Sequence, residues 1–194
     1  VSMIDGSSFD DGTAYVSVRR PLLNDRAPHL WRTRDYGRTW TRIVTGIRAD
    51  DYMHAIREDP ARRGLLYAAG QHGVYVSYDD GDHWQSLRLN LPDVPVSDLV
   101  VEQNELVIAT HGRSFWVLDN IAPLRQYAPA VVAAGAHLFT PPAAIRSGLP
   151  VTLTWRFAAD PDAALNLVLS HEADLMEAVG APERVARVAA DSAL

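Results

Sequence analysis

Thr33-Arg34-Asp35-Tyr36-Gly37-Arg38-Thr39-Trp40 lies over Ser77-Tyr78-Asp79-Asp80-Gly81-Asp82-His83-Trp84, 44 residues further along the chain. The hydroxyl, the Asp, the Gly and the Trp fall in phase in both copies. Self-similarity at a fixed period decides the architecture wherever it is found, so this pair is read first. Upstream of each copy the residues alternate as a strand does: Leu30-Trp31-Arg32 before the first, Gly73-Val74-Tyr75-Val76 before the second. A third stretch, from Ala109 to Asp119, echoes Ala69 to Asp79 with one extra residue and without the Gly and the Trp.

The composition of the eight-residue box follows from what a tight turn needs. The Ser or Thr and the Asp bond backbone N–H groups across the reversal, and Gly permits positive φ where the chain turns back. The Trp opens the next strand with a large apolar face to bury. Working outward, the second unit reads as strands near Tyr52–Glu58, Leu65–Gly70, Gly73–Tyr78 and His83–Arg88. The third reads as Val96–Glu102, Glu105–Thr110, Ser114–Asp119 and, after a Pro/Ala-rich passage, Ala136–Thr140. The first begins at Val1–Ile4, pairs with Thr13–Val18, and continues after a loop with Leu30–Thr33 and Thr39–Val44. Three units of about 40 to 45 residues, each with four strands, describe blades of a β-propeller, an all-β fold.

Composition bounds the rest. The chain of 194 residues is 47% apolar and 22% charged, the range of a folded globular protein. No apolar run reaches the roughly 18 to 20 residues of a membrane helix. Without Cys there are no disulfides, thiolate nucleophiles or zinc–thiolate sites. The net charge of −6 gives no electrostatic reason to expect nucleic acid. All 18 basic residues are Arg, for which GC-rich coding is a simpler cause than selection for anion binding. The chain opens on Val, and no leader pattern follows. Three blades do not close a ring, since propellers have about four to eight. The expectation is therefore a fragment of a longer parent that carries the remaining blades. Open strand edges would make the isolated chain oligomeric or aggregation-prone.

The box resembles the Asp-box, or BNR, repeat of sialidase-like and sortilin-type propellers and of xyloglucan-degrading glycoside hydrolases. The chain is most similar to bacterial proteins loosely called BNR-repeat glycosyl hydrolases, through the run Ile108 to Ile121 followed by Pro123-Leu124-Arg125-Gln126. The likeness covers residues 1 to about 147. It implies an extracytoplasmic propeller that serves as scaffold and binding surface for a glycan, protein or peptide, with no complete catalytic site in this segment. The rival it implies is the C-terminal part of a sialidase- or xyloglucanase-like hydrolase whose catalytic residues lie mainly in other blades. A sortilin-like module is disfavoured, because such chains follow the propeller with Cys-rich modules. No cofactor and no metal are expected. In that family the boxes are structural turns, so Thr33, Asp35, Gly37, Trp40, Ser77, Asp79, Gly81 and Trp84 are assigned to the fold.

Chain direction places the boxes on one end of the blades and the candidate ligand loops on the other. The loop end carries 46–51 and 90–95 from the blade connections, and His72 and His111-Gly112-Arg113 from the second-to-third turns. Asp50-Asp51 is the adjacent carboxylate pair there. Glycoside hydrolysis needs two carboxyls about 5 to 9.5 Å apart, and neighbouring side chains on one loop usually diverge, so a solvated loop is preferred. Asp50, Asp51 and Tyr52 remain the catalytic candidates, while Arg48, His72, His111 and Arg113 are the binding candidates. Arg113 offers a planar fork suited to a carboxylate, against the alternative that it pairs with an acid of the fold. His72 and His111 occupy equivalent turns, which blade repetition explains more simply than a shared metal. Of Trp31, Trp40, Trp84, Trp116 and Trp155, four sit at strand positions where packing between blades is the default, and core is expected for those.

The domain reading is propeller over 1–147, with blades of about 1–46, 47–90 and 91–147, then a separate segment over 148–194. Val151, Leu153, Trp155 and Phe157 alternate, as do Leu165, Leu167 and Leu169, which predicts a hairpin. Beyond it an acidic first turn after Ser170 predicts one short helix ending at Gly180, and Pro182 opens a second.

Overall fold

The computed structural model describes residues 1–134, 136–141, 151–157 and 160–169. The chain divides into two units, Val1–Ile121 and Ala122–Leu194. The first unit holds three antiparallel sheets in chain order. The strands of the first are β1 (Met3–Gly6), β2 (Ala14–Ser17), β3 (Leu30–Thr33) and β4 (Thr41–Arg42). Those of the second are β5 (Met53–Glu58), β6 (Leu66–Gly70), β7 (Gly73–Ser77) and β8 (Gln85–Ser86). The third has β9 (Val96–Glu102), β10 (Glu105–Thr110) and β11 (Phe115–Leu118). Each sheet is a meander in which every strand pairs with its sequence neighbours. That is the strand plan of propeller blades, and the chain is an all-β partial propeller. The expected strands of the first two blades are present, with β4 and β8 cut to two residues each, and the third sheet has three of its four.

The sequence explains which strands lie deepest. β6 and β7 read Leu-Tyr-Ala-Ala-Gly and Gly-Val-Tyr-Val-Ser, and all ten residues are buried. They are the middle strands of the middle sheet, covered on both faces, so the alternation of a half-exposed strand gives way to a continuous small and apolar run. The main core cluster joins the first two sheets through Tyr15, Leu30, Ile43, Met53, Ile56, Leu66, Tyr75 and Trp84. Each such side chain contributes roughly 1.5 to 3 kcal/mol by leaving water.

Polar staples tie the leading strands of successive sheets. Arg57 on β5 donates to Asp5 on β1 at 3.1 Å and to the Leu99 carbonyl on β9 at 3.2 Å. Asp5 in turn accepts the Glu58 backbone N–H at 2.9 Å. Ser17 donates across the same boundary to the His54 carbonyl at 3.0 Å.

The two boxes make the same hydrogen bonds, with lengths that agree to within 0.1 Å. Thr33 Oγ1 donates to Asp35 at 2.9 Å and accepts Gly37 N–H at 2.9 Å; Ser77 Oγ does the same with Asp79 and Gly81 at 2.8 and 2.9 Å. Asp35 then accepts Thr39 N–H at 2.8 Å and Asp79 accepts His83 N–H at 2.9 Å. Both turns place two successive residues at positive φ, Tyr36-Gly37 and Asp80-Gly81.

The expectation of core tryptophans is corrected. Trp84 is 4% exposed, whereas Trp40 is 41% exposed, and Trp31 and Trp116 are half-buried. Trp84 packs back on the first sheet, where its backbone N–H donates to Thr45 and its indole N–H to the Ile43 carbonyl. Gly46 makes room for it: its φ is +96°, and a Cβ there would lie 2.2 Å from the Trp84 carbonyl oxygen. Trp40 folds over its own turn and donates its indole N–H to the Gly37 carbonyl at 3.1 Å.

In the third sheet, Leu99, Leu106, Ile108 and Trp116 share the face toward the second sheet, by register and by their common pocket or burial. Val100, Phe115 and Val117 stand on the other face and are exposed. The second unit contains short helices α1 (Ala122–Gln126) and α2 (Pro129–Ala133), and a sheet of β12 (Ala136–Leu138), β13 (Val151–Phe157) and β14 (Asp160–Leu169). The expected hairpin is β13–β14. The segment expected as a fourth strand of the third blade pairs instead with β13. Trp155 lies in β13, and the helices expected after Ser170 and Pro182 lie outside the described residues.

Candidate functional site

The loop end of the sheets collects the predicted residues, and most of them are already engaged. Arg48 grips Asp50 with both arms of its guanidinium, Nε to Oδ1 at 3.0 Å and Nη2 to Oδ2 at 2.8 Å. That bond holds the Asp50 carboxyl below its ordinary range. Asp51 points the other way and is fully buried. It accepts the Tyr75 hydroxyl at 2.7 Å and the His72 backbone N–H at 3.1 Å, tying the blade connection to the β6–β7 turn. Burial, and then the bond to Asp51, push the Tyr75 phenol up. The adjacent pair therefore splits into a surface ion pair and a structural acid. A paired acid–base arrangement does not form from them.

Tyr52 lies beneath the Arg19 guanidinium, 5.6 Å from its centre, and its ring meets His54 at 5.2 Å. Among the described residues no carboxylate is hydrogen-bonded to the Tyr52 phenol to take its proton, which a tyrosine nucleophile needs. His54 is pushed toward its neutral form, first by burial and then by Arg19. Its Nε2 is buried with no hydrogen-bond partner among the described residues. Sequence reading missed His54, whose position in mid-strand looks like any polar residue of β5. His72 bonds Asp93 at 2.9 Å through Nδ1, and that bond lowers the Asp93 carboxyl.

His111 and Arg113 differ from these. Both side chains are exposed, and Arg113 has no ion pair among the described residues. The turn that presents them is fixed from behind. His111 N–H donates to Pro95 at 2.8 Å, and Thr110 Oγ1 donates to the Ser114 carbonyl at 2.7 Å. Ser114 and Gly112 both carry positive φ, and Trp116 donates its indole N–H to the Arg113 carbonyl at 3.0 Å. A rigid turn with a free planar cation at its tip can receive an acceptor group without first breaking an internal bond. No group of three or more His, Cys, Asp or Glu suited to a metal occurs among the described residues.

The opposite end holds a polar pocket of about 270 Å³ between the first two sheets. Tyr15 and Glu58 are buried in it. Glu58 accepts Ser7 Oγ at 2.6 Å, Ser8 N–H at 3.2 Å and Gly64 N–H at 3.2 Å, and the Tyr15 hydroxyl lies 3.4 Å away. The same hydroxyl reaches Asp80, which also pairs with Arg32 and Arg34. Burial, then the bond to Asp80, push the Tyr15 phenol up, the direction opposite to an activated nucleophile. These residues come from separate turns spread over 73 positions (Ser7 to Asp80), so no local motif announces them.

No family model and no curated protein matches the chain. Among solved structures it is similar to an ancestral GH74 enzyme, with 9% identity and a TM-score of 0.48 over 87% of this chain and 18% of that one. The GH74 xyloglucanase from Xanthomonas campestris shows 16% identity and a TM-score of 0.47, over 87% and 28%. YCF48 bound to D1 peptide shows 14% and 0.43, over 86% and 53%. The chain thus spans between about a fifth and a half of the length of these proteins.

Proposed function

We propose that this chain is a segment of an Asp-box propeller of the BNR type, acting as scaffold and binding surface for a glycan or peptide ligand, with no complete catalytic site of its own. The observation that supports it is the contrast at the loop end. Asp50, Asp51, Tyr52 and His72 are each engaged by the fold, whereas Arg113 stands on a braced turn with its guanidinium open. An open fork of this kind suits a carboxylate or another acceptor of a ligand. The hydrolase reading asks for two carboxyls with free lone pairs facing a common space. The one close juxtaposition described, Glu58 with Asp80 around Tyr15, is taken up by internal donors. The remaining blades belong to a longer parent, which this reading places outside the cytoplasm on the strength of the family likeness. No helix among the described residues is long and apolar enough to cross a membrane.

The test is Arg113→Ala in the intact parent, read against an array of neutral and acidic glycans and carboxylated peptides. Loss of a charged hydrogen bond weakens acidic ligands by roughly 1.5 to 3 kcal/mol and leaves neutral ones unchanged. Equal affinity of mutant and wild type for every acidic ligand retires the role of Arg113. Turnover of a bound glycan by the wild type would replace the scaffold reading with the hydrolase.

A further inference from the structure

We infer that the pocket between the first two sheets, on the end opposite Arg113, is a second binding site that takes a small, singly charged carboxylate. The inference starts from hydrogen-bonding capacity. Of the groups lining the pocket, the acceptors are spent: Glu58 is held by Ser7, Ser8 and Gly64, and Asp80 by Tyr15, Arg32 and Arg34. The donors are not. Arg63 is 69% exposed on its side chain, and its one ion pair among the described residues is with Asp10 at 3.7 Å, beyond hydrogen-bond length. Arg34 is 58% exposed and engages Asp80 through Nη2, which leaves its remaining N–H groups without a described partner. A guanidinium offers five donors, so the pocket presents a surplus of N–H groups over unengaged carboxylate oxygens, with the hydroxyls of Ser7, Thr13 and Tyr15 as its other polar groups.

Size and charge narrow the ligand. At about 270 Å³ the pocket is small, near the roughly 300 Å³ where sites for small molecules begin, so it admits a group of monosaccharide size rather than a chain. Its lining carries two cations, Arg34 and Arg63, against two anions, Glu58 and Asp80. A dianion such as phosphate meets the field of both carboxylates, while a planar monoanion matches one guanidinium fork with half that repulsion. A bare organic acid and a sugar acid share this chemistry.

The experiment is calorimetric titration of the full chain carrying Arg113→Ala, which removes the proposed loop-end contact for acidic ligands, with glucuronate, acetate, glucose and inorganic phosphate, before and after Arg63→Gln is added. Glucuronate should bind, glucose should not, and Arg63→Gln should weaken glucuronate by about tenfold or more. Acetate binding with similar sensitivity to Arg63→Gln assigns a bare carboxylate; glucuronate without acetate assigns a sugar acid. In this background, heat that is lost with Arg63→Gln belongs to the pocket and not to the loop end. Arg63 sits on an exposed turn, so its variant should keep the wild-type urea midpoint. The inference is overturned if neither carboxylate binds, if phosphate binds at least as tightly as glucuronate, if glucose binds with the same sensitivity to Arg63→Gln, or if a folded chain with Arg63→Gln binds like its Arg113→Ala background.

Discussion

The turns 33–40 and 77–84 are two answers to one sequence pattern. Their internal hydrogen bonds coincide: hydroxyl to Asp, Gly N–H to hydroxyl, and the N–H four residues on to Asp. Their tryptophans do not. Trp84 is buried against the first sheet, and Trp40 lies over its own Gly37 at the surface. The turn is written in the eight residues that make it. The burial of its Trp is written in the neighbouring sheet. A motif of this kind encodes a local shape and only offers a surface for packing.

That contrast sets the expected sizes of the mutational effects. Trp84→Ala should cost roughly 3 to 5 kcal/mol, the range for emptying a buried aromatic site, and it should show as a lowered urea midpoint. Trp40→Ala should stay within about 0.5 kcal/mol of wild type, as exposed substitutions do. Similar losses at the two positions would mean that something also covers Trp40.

Gly46→Ala attacks the same contact from the other side. With φ at +96° and the Trp84 carbonyl in the path of a Cβ, the change should cost about 1 to 3 kcal/mol by overpacking and strain. Gly37, also at positive φ, has only the Trp40 ring within reach of a Cβ, so the penalty there should be smaller and mainly conformational. The hydroxyls test the opposite half of the comparison. Thr33→Ala and Ser77→Ala should cost nearly the same, about 1 kcal/mol each, because each removes a cap-like acceptor from an equivalent turn. A twofold gap in denaturation energies would show that the turns are not energetically alike.

Acid sensitivity probes the bonds of the turn directly. Hydrogen bonds from the Thr39 side chain and backbone hold Asp35 at a pKa of about 2, below its ordinary 3.8. Between those values the unfolded chain binds more protons than the folded one, so stability falls with falling pH. The contribution is complete above about pH 4 and disappears as the pH drops through about 2. Asp79 shifts in the same direction, although burial opposes the bonds from His83 and Ser77 that lower it. Carboxyl carbon NMR should give an Asp35 midpoint near 2; a midpoint at 3.8 would show that its bonds are not held in solution.

The fold was legible because its period and turn chemistry sit in contiguous residues. Phase between 33 and 77 placed every strand of the second sheet to within a few residues, and the missing Gly and Trp after Asp119 coincide with a third sheet of three strands. Packing between sheets was not legible. Asp51 looked like a surface acid beside Asp50, and its burial depends on Tyr75, 24 positions away. Glu58 and Arg34 read as ordinary strand and turn residues until the sheets brought their ends together. The β12 segment went to the hairpin because register there is set by β13, which the repeat does not include.

Arg57 and Trp84 carry a consequence for how such a chain is made. Trp84 reaches the Ile43 carbonyl across 41 residues, and Arg57 reaches Leu99 across 42. The bonds that fasten one sheet to the next therefore close loops of about one repeat, whatever the number of sheets already assembled. Loop-closure entropy grows only with the logarithm of the span, so each addition meets the same modest toll instead of one that rises with the length of the protein. A nascent chain leaving the ribosome can lock its first sheet once the second has emerged, and its second once the third has. Synthesis and folding then advance at the same stride, and the bonds between the first two sheets are complete within a span of 65 residues.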